Sequence, residues 1–320
     1  MNPLRVAVIG VGALGKHHAR ILASLPGVSL AAVVDINRAR AEEIAAAHGA
    51  RPVFDAGQLD GQIDAVTIAV PTELHARIAR PFLEAGIPAL VEKPIARTVE
   101  EADAMIAAAA GRGAVLAVGH TERFNPAVAA ARRVLVDPRF IEVHRLGAFP
   151  ERSLDIDVVF DLMIHDLDIA LSLVPSEVET IEAVGVPVLT GRVDIANARL
   201  RFANGCIANI TASRISRDRV RKIRFFQPSA YVSIDYAAQK LEVWRLVKGT
   251  GPMPTIEGGE VEVPAEEPLK RELEDFVQAV TARRPPLVTG EQGRRALALA
   301  QQITDKMSAE LHARNHETTK

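Results

Sequence analysis

Five polar side chains recur at helical spacing within an otherwise apolar stretch. Asp157, Asp161, His165, Asp168 and Ser172 follow one another at intervals of three or four residues, which predicts a single helix with these side chains along one side and Asp157 as its N-cap. A histidine one turn from an aspartate can take up a proton near neutral pH, while the carboxylate orients the ring. The stripe lacks lysine and arginine, so the pattern favours a catalytic acid/base site over the alternative of a solvated helix face.

A dinucleotide-binding pattern opens the chain. The apolar strand 5–9 leads into Gly10, Gly12 and Gly15, and an Ala/Leu-rich helix follows. In this context the first glycine makes a tight turn, the second lets the backbone approach a pyrophosphate, and the third allows close packing of the helix on the strand. The pyrophosphate is then expected at the N-terminus of the helix, where free N–H groups attract anions.

An acid at the end of the second strand indicates which dinucleotide binds. Asp35 follows strand 30–34, where a carboxylate accepts ribose hydroxyls and repels a 2′-phosphate, which favours NAD over NADP. Arg38 could weaken this discrimination by pairing with that phosphate, and the alternative role of Asp35 is to cap the next helix. Further strand–helix alternation predicts a doubly wound parallel sheet, with Lys93 beyond a strand C-terminus, on the ligand side.

These motifs together resemble the Gfo/Idh/MocA family of oxidoreductases. The resemblance rests on Gly10-x-Gly12-x-x-Gly15-x-x-His18, Pro71 to His75, Glu92-Lys93-Pro94, and Asp161-x-x-x-His165-x-x-Asp168, in that order. It implies an α/β protein with an N-terminal Rossmann domain at 1–122 and a C-terminal α/β domain with an open, largely antiparallel sheet at 123–320. The closing helices are expected to pack back towards the Rossmann domain, the sheet to form a homodimer or homotetramer, and the Lys93–Pro94 bond to be cis.

The resemblance also assigns roles to residues. Lys93 is expected to be catalytic, His165 the general acid/base and Asp161 its partner, with no metal. The expected NAD-binding residues are Gly10, Gly12, Ala13, Leu14, Gly15, Asp35, Ile36, Arg38, Val70, Pro71, His75, Glu92 and Lys93. The expected substrate-binding residues are Lys93, His120, Arg123, Arg152, Asp161 and His165.

The second half of the chain reads as antiparallel sheet. Period-two segments lie near 140–146, 179–185, 193–202, 206–213, 220–226, 230–235 and 240–247, which predicts half-exposed strands. Asn204-Gly205 predicts a hairpin turn. Residues 248–267 show no periodicity and are expected to form a loop, and two helices are expected at 268–283 and 291–311.

Arginines in the second half bear on the substrate. Residues 214–224 contain five of them, and either a solvated strand face or a phosphate-binding site fits the pattern. Together with Arg123, Arg145 and Arg152 they would make the entrance to the substrate site positively charged, which suits a nucleotide sugar better than a plain polyol. Within the family, the segments Gly119 to Pro126, Arg152 to Asp157 and Asp161 to Asp166 most resemble a branch that oxidises C3 of UDP-N-acetylglucosamine, and the resemblance implies this substrate. The alternatives are a free-sugar or inositol dehydrogenase, or an NAD-binding regulatory protein without turnover.

Bulk composition narrows the class of protein. The chain has 320 residues, 48% of them hydrophobic, and a formal net charge of −2, which gives no electrostatic case for nucleic acid or an anionic membrane as partner. The single cysteine, Cys206, excludes a disulfide framework within the chain. No signal peptide is evident and no apolar run approaches the roughly 20 residues that span a bilayer. A cytoplasmic location is therefore expected.

Overall fold

The computed structural model describes residues 2–59, 61–149, 156–247 and 254–317. It contains two compact units. The first comprises Met1–Thr121 and Glu267–Leu297, and the second comprises Glu122–Glu266 and Ala298–Lys320.

The first unit is built on a six-stranded parallel sheet with the order β3-β2-β1-β4-β5-β6. The strands are β1 (Leu4–Ile9), β2 (Val28–Val34), β3 (Arg51–Val53), β4 (Ala65–Ile68), β5 (Ala89–Glu92) and β6 (Leu116–Gly119), and the helices between them are α1 (Gly15–Ser24), α2 (Arg38–His48), α3 (His75–Glu84) and α4 (Val99–Arg112). Val6 and Val8 of the central strand are buried in the main apolar cluster of this unit. This strand order confirms the predicted Rossmann fold, whose ligands bind where the order reverses beside β1.

The second unit is built on an eight-stranded sheet with the order β14-β13-β12-β11-β7-β10-β9-β8. Only β7 and β10 pair in parallel; the other neighbours are antiparallel. The strands are β7 (Phe140–Leu146), β8 (Val178–Val186), β9 (Ile195–Phe202), β10 (Ile207–Ser213), β11 (Val220–Gln227), β12 (Ala230–Asp235), β13 (Lys240–Val247) and β14 (Thr255–Val261). Side chains alternate between a buried face, with Ile141 and Phe225, and a more exposed face, with Phe140 and Phe226. The predicted open, largely antiparallel sheet is confirmed.

Four further α-helices are found in the described residues. They are α5 (Pro126–Ala131), α6 (Ile164–Leu173), α7 (Pro268–Ala282) and α8 (Gly290–Glu317), and a π-helical turn, Val159–Met163, leads into α6. Leu273 and Phe276 of α7 are buried in the same apolar cluster as Val6. Residues 267–297 belong to the first compact unit, and the division into domains at 1–122 and 123–320 stays a prediction. Among the described helices, none has the length and apolar character that crossing a membrane requires.

The expectation of a loop at 248–267 is wrong in part. Strand β14, Thr255–Val261, pairs with β13 from Leu241↔Val261 to Val247↔Thr255, and residues 248–253 lie outside the described residues. Gly258 has a φ of +151°, and a Cβ there would lie 2.0 Å from the Val243 carbonyl oxygen. Two consecutive glycines interrupt the alternation by which a strand is recognised, so the pairing partner is what defines this strand.

Candidate functional site

The glycine loop after β1 is closely packed on one side and open on the other. Gly10 has a φ of +82°, and a Cβ on Gly15 would lie 1.8 Å from the Gly10 carbonyl oxygen. A Cβ on Gly12, by contrast, would have no neighbouring atom within 4 Å. Helix α1 begins directly after this loop without a side-chain cap. The N-terminus of this helix and the open space at Gly12 fit a pyrophosphate.

Asp35 supports this loop from the end of β2. Its Oδ2 accepts a hydrogen bond from the Val11 N–H at 3.0 Å, and its Oδ1 accepts one from the Asn37 N–H at 2.9 Å. The cap of α2 is Asn37, whose Oδ1 accepts from the Arg40 N–H. Asp35 is therefore not the helix cap, and its carboxylate lies beside the glycine loop where a ribose is expected.

A cavity of about 700 Å³ opens at this end of the parallel sheet. Six of the predicted cofactor residues line it: Gly10, Gly12, Asp35, Ile36, Val70 and Pro71. Phe54, which follows β3, lines it as well, and the Arg38 guanidinium lies 4.2 Å from the centroid of the Phe54 ring. The pattern analysis missed Phe54, although its place directly after a short parallel strand marks it as a lining residue. The loop, the acid and the cavity fit the adenosine half of NAD.

His75 connects two of the segments that follow parallel strands. Its Nδ1 lies 2.8 Å from the Pro94 carbonyl oxygen and its Nε2 lies 2.9 Å from the Val70 carbonyl oxygen. The ring is buried, and burial lowers its pKa although the two carbonyl groups act in the opposite direction. Both ring nitrogens thus face the protein backbone, so a role of His75 towards the cofactor would be exerted through Val70 and Pro94. The Lys93–Pro94 bond is cis, as the resemblance implied.

Glu92 and Lys93 stand at the C-terminus of β5. The Glu92 Oε2 accepts a hydrogen bond from the Lys93 N–H at 3.2 Å, and the Glu92 Oε1 lies 3.0 Å from the His18 Nε2. Glu92 is buried, whereas Lys93 is half-buried. The carboxylate therefore contacts the backbone of Lys93 and a histidine of α1. His120, which follows β6, is buried too.

The predicted single helix around His165 is two helical segments. Asp161 lies in the π-helical turn and His165 in the first turn of α6, and both are half-buried. Asp157 does not cap a helix with its side chain; its Oδ1 accepts a hydrogen bond from the Val193 N–H at 3.0 Å. A π-turn at a functional segment changes how successive side chains are directed, and no local sequence signature predicts it.

Two buried ion pairs involve α6 residues that follow His165. Asp166 binds Arg145 through two hydrogen bonds, Nε–Oδ2 at 2.6 Å and Nη2–Oδ1 at 3.0 Å, and Asp168 contacts the Arg123 Nη1 at 3.3 Å. Burial lowers the pKa of Arg145, but the Asp166 charge and hydrogen bonds outweigh it and leave the pKa raised. Arg145 therefore does not contribute to a positively charged entrance to the substrate site, because its charge is buried and neutralised. The sequence analysis missed Asp166, whose place within an apolar run was the available signal.

The arginines of 214–224 do not form one group. Arg214 is buried, donates to the Asp194 Oδ1 at 2.9 Å and to the Ile156 carbonyl oxygen at 2.8 Å, and has a structural role. Arg224 is paired with Glu142 at 2.9 Å on the more exposed sheet face. Three arginines are exposed: Arg217, Arg219 and Arg221. A phosphate site formed by the whole segment is therefore excluded. Arg152, the remaining predicted contact, lies outside the described residues.

Comparisons with known proteins match both halves of the chain. Residues 4–120 match the model of the Gfo/Idh/MocA oxidoreductase family with an NAD-binding Rossmann fold, and residues 135–229 match the model of the Gfo/Idh/MocA C-terminal domain. A UDP-N-acetylglucosamine 3-dehydrogenase from Acidithiobacillus ferrooxidans is 41% identical over 95% of this chain and 97% of its own length. An inositol 2-dehydrogenase from Rhizobium meliloti is 30% identical over 66% of this chain and 69% of its own.

Solved structures agree with these matches. The structure of the Acidithiobacillus ferrooxidans UDP-N-acetylglucosamine 3-dehydrogenase superposes with a TM-score of 0.91 at 40% identity, covering 97% of this chain and 99% of that one. A levoglucosan dehydrogenase in complex with NADH and L-sorbose gives a TM-score of 0.87 at 22% identity, covering 97% and 98%, and shares the fold.

Proposed function

Because the chain belongs to the Gfo/Idh/MocA family of NAD-binding oxidoreductases, we propose that it oxidises the C3 hydroxyl of UDP-N-acetylglucosamine to a 3-oxo sugar nucleotide. The observation that carries the proposal is the similarity to the Acidithiobacillus ferrooxidans enzyme, which extends over 95% of this chain and 97% of that one. Both units of the protein are therefore included in the match, whereas the inositol 2-dehydrogenase match covers 66% of the chain.

Three side chains carry the proposed chemistry. NAD, when bound, supplies the nicotinamide carbon that accepts the hydride from the carbinol carbon. His165 accepts the hydroxyl proton as the carbonyl group forms, and Asp161 orients the ring and stabilises the imidazolium. Lys93 donates a hydrogen bond to the substrate oxygen, where negative charge develops. This scheme conserves atoms and charge, because the alcohol loses a hydride and a proton.

The remaining predicted contacts have supporting roles in this proposal. Arg123 and Arg145 hold Asp168 and Asp166, so each contributes by fixing the helix that carries His165. Arg152 and the exposed Arg217, Arg219 and Arg221 are the arginines we propose as candidates for contact with the diphosphate, since guanidinium groups suit phosphate oxygens.

A substrate comparison tests the function. NADH formation at 340 nm should be followed with UDP-N-acetylglucosamine, free N-acetylglucosamine and myo-inositol, with an aminotransferase and its amino-acid donor added to convert a 3-oxo product into the amino sugar and a 2-oxo acid. Of the three compounds, we expect only UDP-N-acetylglucosamine to give NADH. Turnover of myo-inositol at a higher kcat/KM than UDP-N-acetylglucosamine would instead identify the protein as an inositol dehydrogenase. Binding of NAD without turnover of any of the three compounds would support the alternative of a regulatory protein.

We also propose that two copies associate through the exposed face of the eight-stranded sheet. Phe140, Phe226, Tyr231 and Trp244 are cross-strand neighbours on four adjacent strands, and the ring centroids of the first three are 5.6 and 5.2 Å apart. Trp244 remains 40% exposed. A row of aromatic side chains left in water on a sheet face is typical of an interface, and its occupant in this proposal is a second copy of the chain.

A further inference from the structure

A histidine and two glutamates from three different elements meet inside the first unit. His18 lies on α1, Glu92 at the end of β5 and Glu272 on α7, and each has an oxygen or nitrogen within 4.8 Å of the other two. Their exposed fractions are 0%, 5% and 2%. Two carboxyl groups this close in a dry environment are costly when both are charged. The cluster therefore requires a positive charge or a proton.

Glu272 is the group whose surroundings do not support a charge. Among the described residues, neither of its carboxylate oxygens has a hydrogen-bond partner. Burial raises its pKa well above the ordinary value, as do the charges of Glu92 and, to a lesser extent, Asp275, while the Thr121 hydroxyl acts in the opposite direction. Burial, the nearby Glu92 charge and the lack of a hydrogen-bond partner for either oxygen all favour the neutral acid over the carboxylate.

Glu92, by contrast, faces donors. Its Oε2 accepts from the Lys93 N–H and its Oε1 lies 3.0 Å from the His18 Nε2. Its carboxylate also lies against Gly119 of β6, where an added Cβ would come within 2.8 Å of it. The carboxylate that anchors the Lys93 backbone is thus held beside Glu272.

We propose that Glu272 is protonated in the native protein at neutral pH and shares its proton with Glu92, so that Glu272, Glu92 and His18 form a buried cluster that fixes the backbone of Lys93. Among the described residues, the charges that act on Glu272 are those of Glu92 at the end of β5 and Asp275 of α7, and the His18 ring of α1 faces Glu92. The His75 ring also senses the Glu92 charge. The importance of the cluster for turnover rests on the proposed role of Lys93. The protonation of Glu272 does not depend on that role.

The pH dependence of unfolding tests directly whether Glu272 carries a proton in the native state. A carboxyl group with a raised pKa in the native state binds a proton there that the unfolded chain releases above about pH 4.3. The unfolding equilibrium constant should then increase with pH, by up to about tenfold per unit, until the native-state pKa is passed. Glu272→Gln carries a neutral isostere, so its unfolding constant should lack this component. Glu274→Gln, at a half-exposed position of the same helix, is the matched control and should keep the wild-type slope.

Parallel pH slopes for wild type and Glu272→Gln would overturn the proposal. If the variant does not fold, difference infrared spectroscopy on the wild type replaces it: a protonated carboxylic acid C=O stretch should persist at pH 7 and be absent if Glu272 is ionised. Metal analysis of the full chain gives a further contrary outcome. A stoichiometric divalent cation, with EDTA lowering the Tm of wild type but not of Glu272→Gln, would show that a cation and not a proton neutralises the cluster.

Hydrogen exchange tests the link to Lys93 without requiring turnover. The amide of Lys93 should exchange at the wild-type rate in Glu272→Gln, which retains a donor, and at least about tenfold faster in Glu272→Leu, which does not. Equal exchange in both variants would overturn the positioning role. Since neither measurement uses a sugar, failure of the cluster and failure of the proposed function are distinguishable.

Discussion

The carboxylate of Asp166 binds the guanidinium of Arg145 with both oxygens, at 2.6 and 3.0 Å, one residue after His165 in the chain. Arg145 also contacts Glu122 at 3.3 Å and lies over the ring of Tyr236 at 5.0 Å. This places a buried, neutralised ion pair at the base of the helix segment that carries the proposed acid/base. Breaking it should affect stability and, through the helix, the position of His165.

Removing one partner of this pair leaves a buried charge uncompensated. We predict that Arg145→Met and Asp166→Asn each lower the free energy of unfolding by about 3–5 kcal/mol, measured by urea denaturation. The double variant Arg145→Met/Asp166→Asn should lose less than the sum of the two single variants, because neither Arg145 nor Asp166 is then buried as a charge without its counter-ion. Arg224→Met, which breaks the half-exposed pair with Glu142, is the control and should cost about 0–1 kcal/mol. Equal losses for the two arginines would contradict the prediction.

Alanine substitutions at two glycines of the nucleotide loop should affect stability and NAD binding separately. In Gly15→Ala the new methyl group meets the Gly10 carbonyl oxygen, so we predict a loss of about 1–3 kcal/mol in unfolding free energy. In Gly12→Ala the methyl group enters open space, so stability should be unchanged, while NAD affinity falls at least about tenfold, or 1.4 kcal/mol. Denaturation and NAD titration of both variants check this. Normal NAD binding by Gly12→Ala would show that the backbone there does not approach the pyrophosphate.

Trp244 should contribute to association of the chain. We predict that Trp244→Asp raises the dissociation constant of the dimer by about 30-fold or more, since loss of an interface aromatic typically costs at least about 2 kcal/mol. Light scattering across a dilution series measures this. Arg245→Asp is the control, because the neighbouring side chain points to the opposite side of the sheet and is exposed. A monomeric wild type, or equal effects of both substitutions, would contradict the proposed interface.

His165→Asn should remove the general base but retain cofactor binding. We predict that kcat falls by about 10²- to 10⁴-fold, with the Kd for NAD unchanged in calorimetric titration. His144→Asn replaces another half-buried histidine of the same unit and should keep wild-type turnover. A kcat for His165→Asn within a factor of two of wild type would exclude His165 as the base.

Local patterns were sufficient for most of the fold. Strand β7 was predicted at its observed residues, and the strands of the second sheet before β14 were placed within two residues, because alternation on a half-exposed sheet is a strong local signal. The nucleotide loop was equally accessible, since its strand, glycines and acid are close in the sequence. Strand β14 was missed because two glycines hide its period and its existence depends on pairing with β13.

The interactions of charged side chains could not be predicted in the same way. Arg214 was grouped with its exposed neighbours, yet its partner Asp194 lies 20 residues earlier and the pair forms only in the folded unit. Glu272 lies in a helix that was predicted without any role for this residue, and its burial beside Glu92 depends on how α7 packs on α1 and β5. Such long-range contacts decide whether a charged side chain is buried and paired or exposed. A single sequence contains no local pattern for these contacts.

The source of the transferred hydride tests the central claim most directly. UDP-N-acetylglucosamine deuterated at C3 should be incubated with the full-length protein and NAD, and the reduced cofactor analysed by mass spectrometry, with substrate deuterated at C4 as the control. The proposed function predicts NADH that carries one deuterium from the C3-labelled substrate and none from the C4-labelled one. Deuterium arriving from C4, or turnover without deuterium from C3, would contradict oxidation at C3.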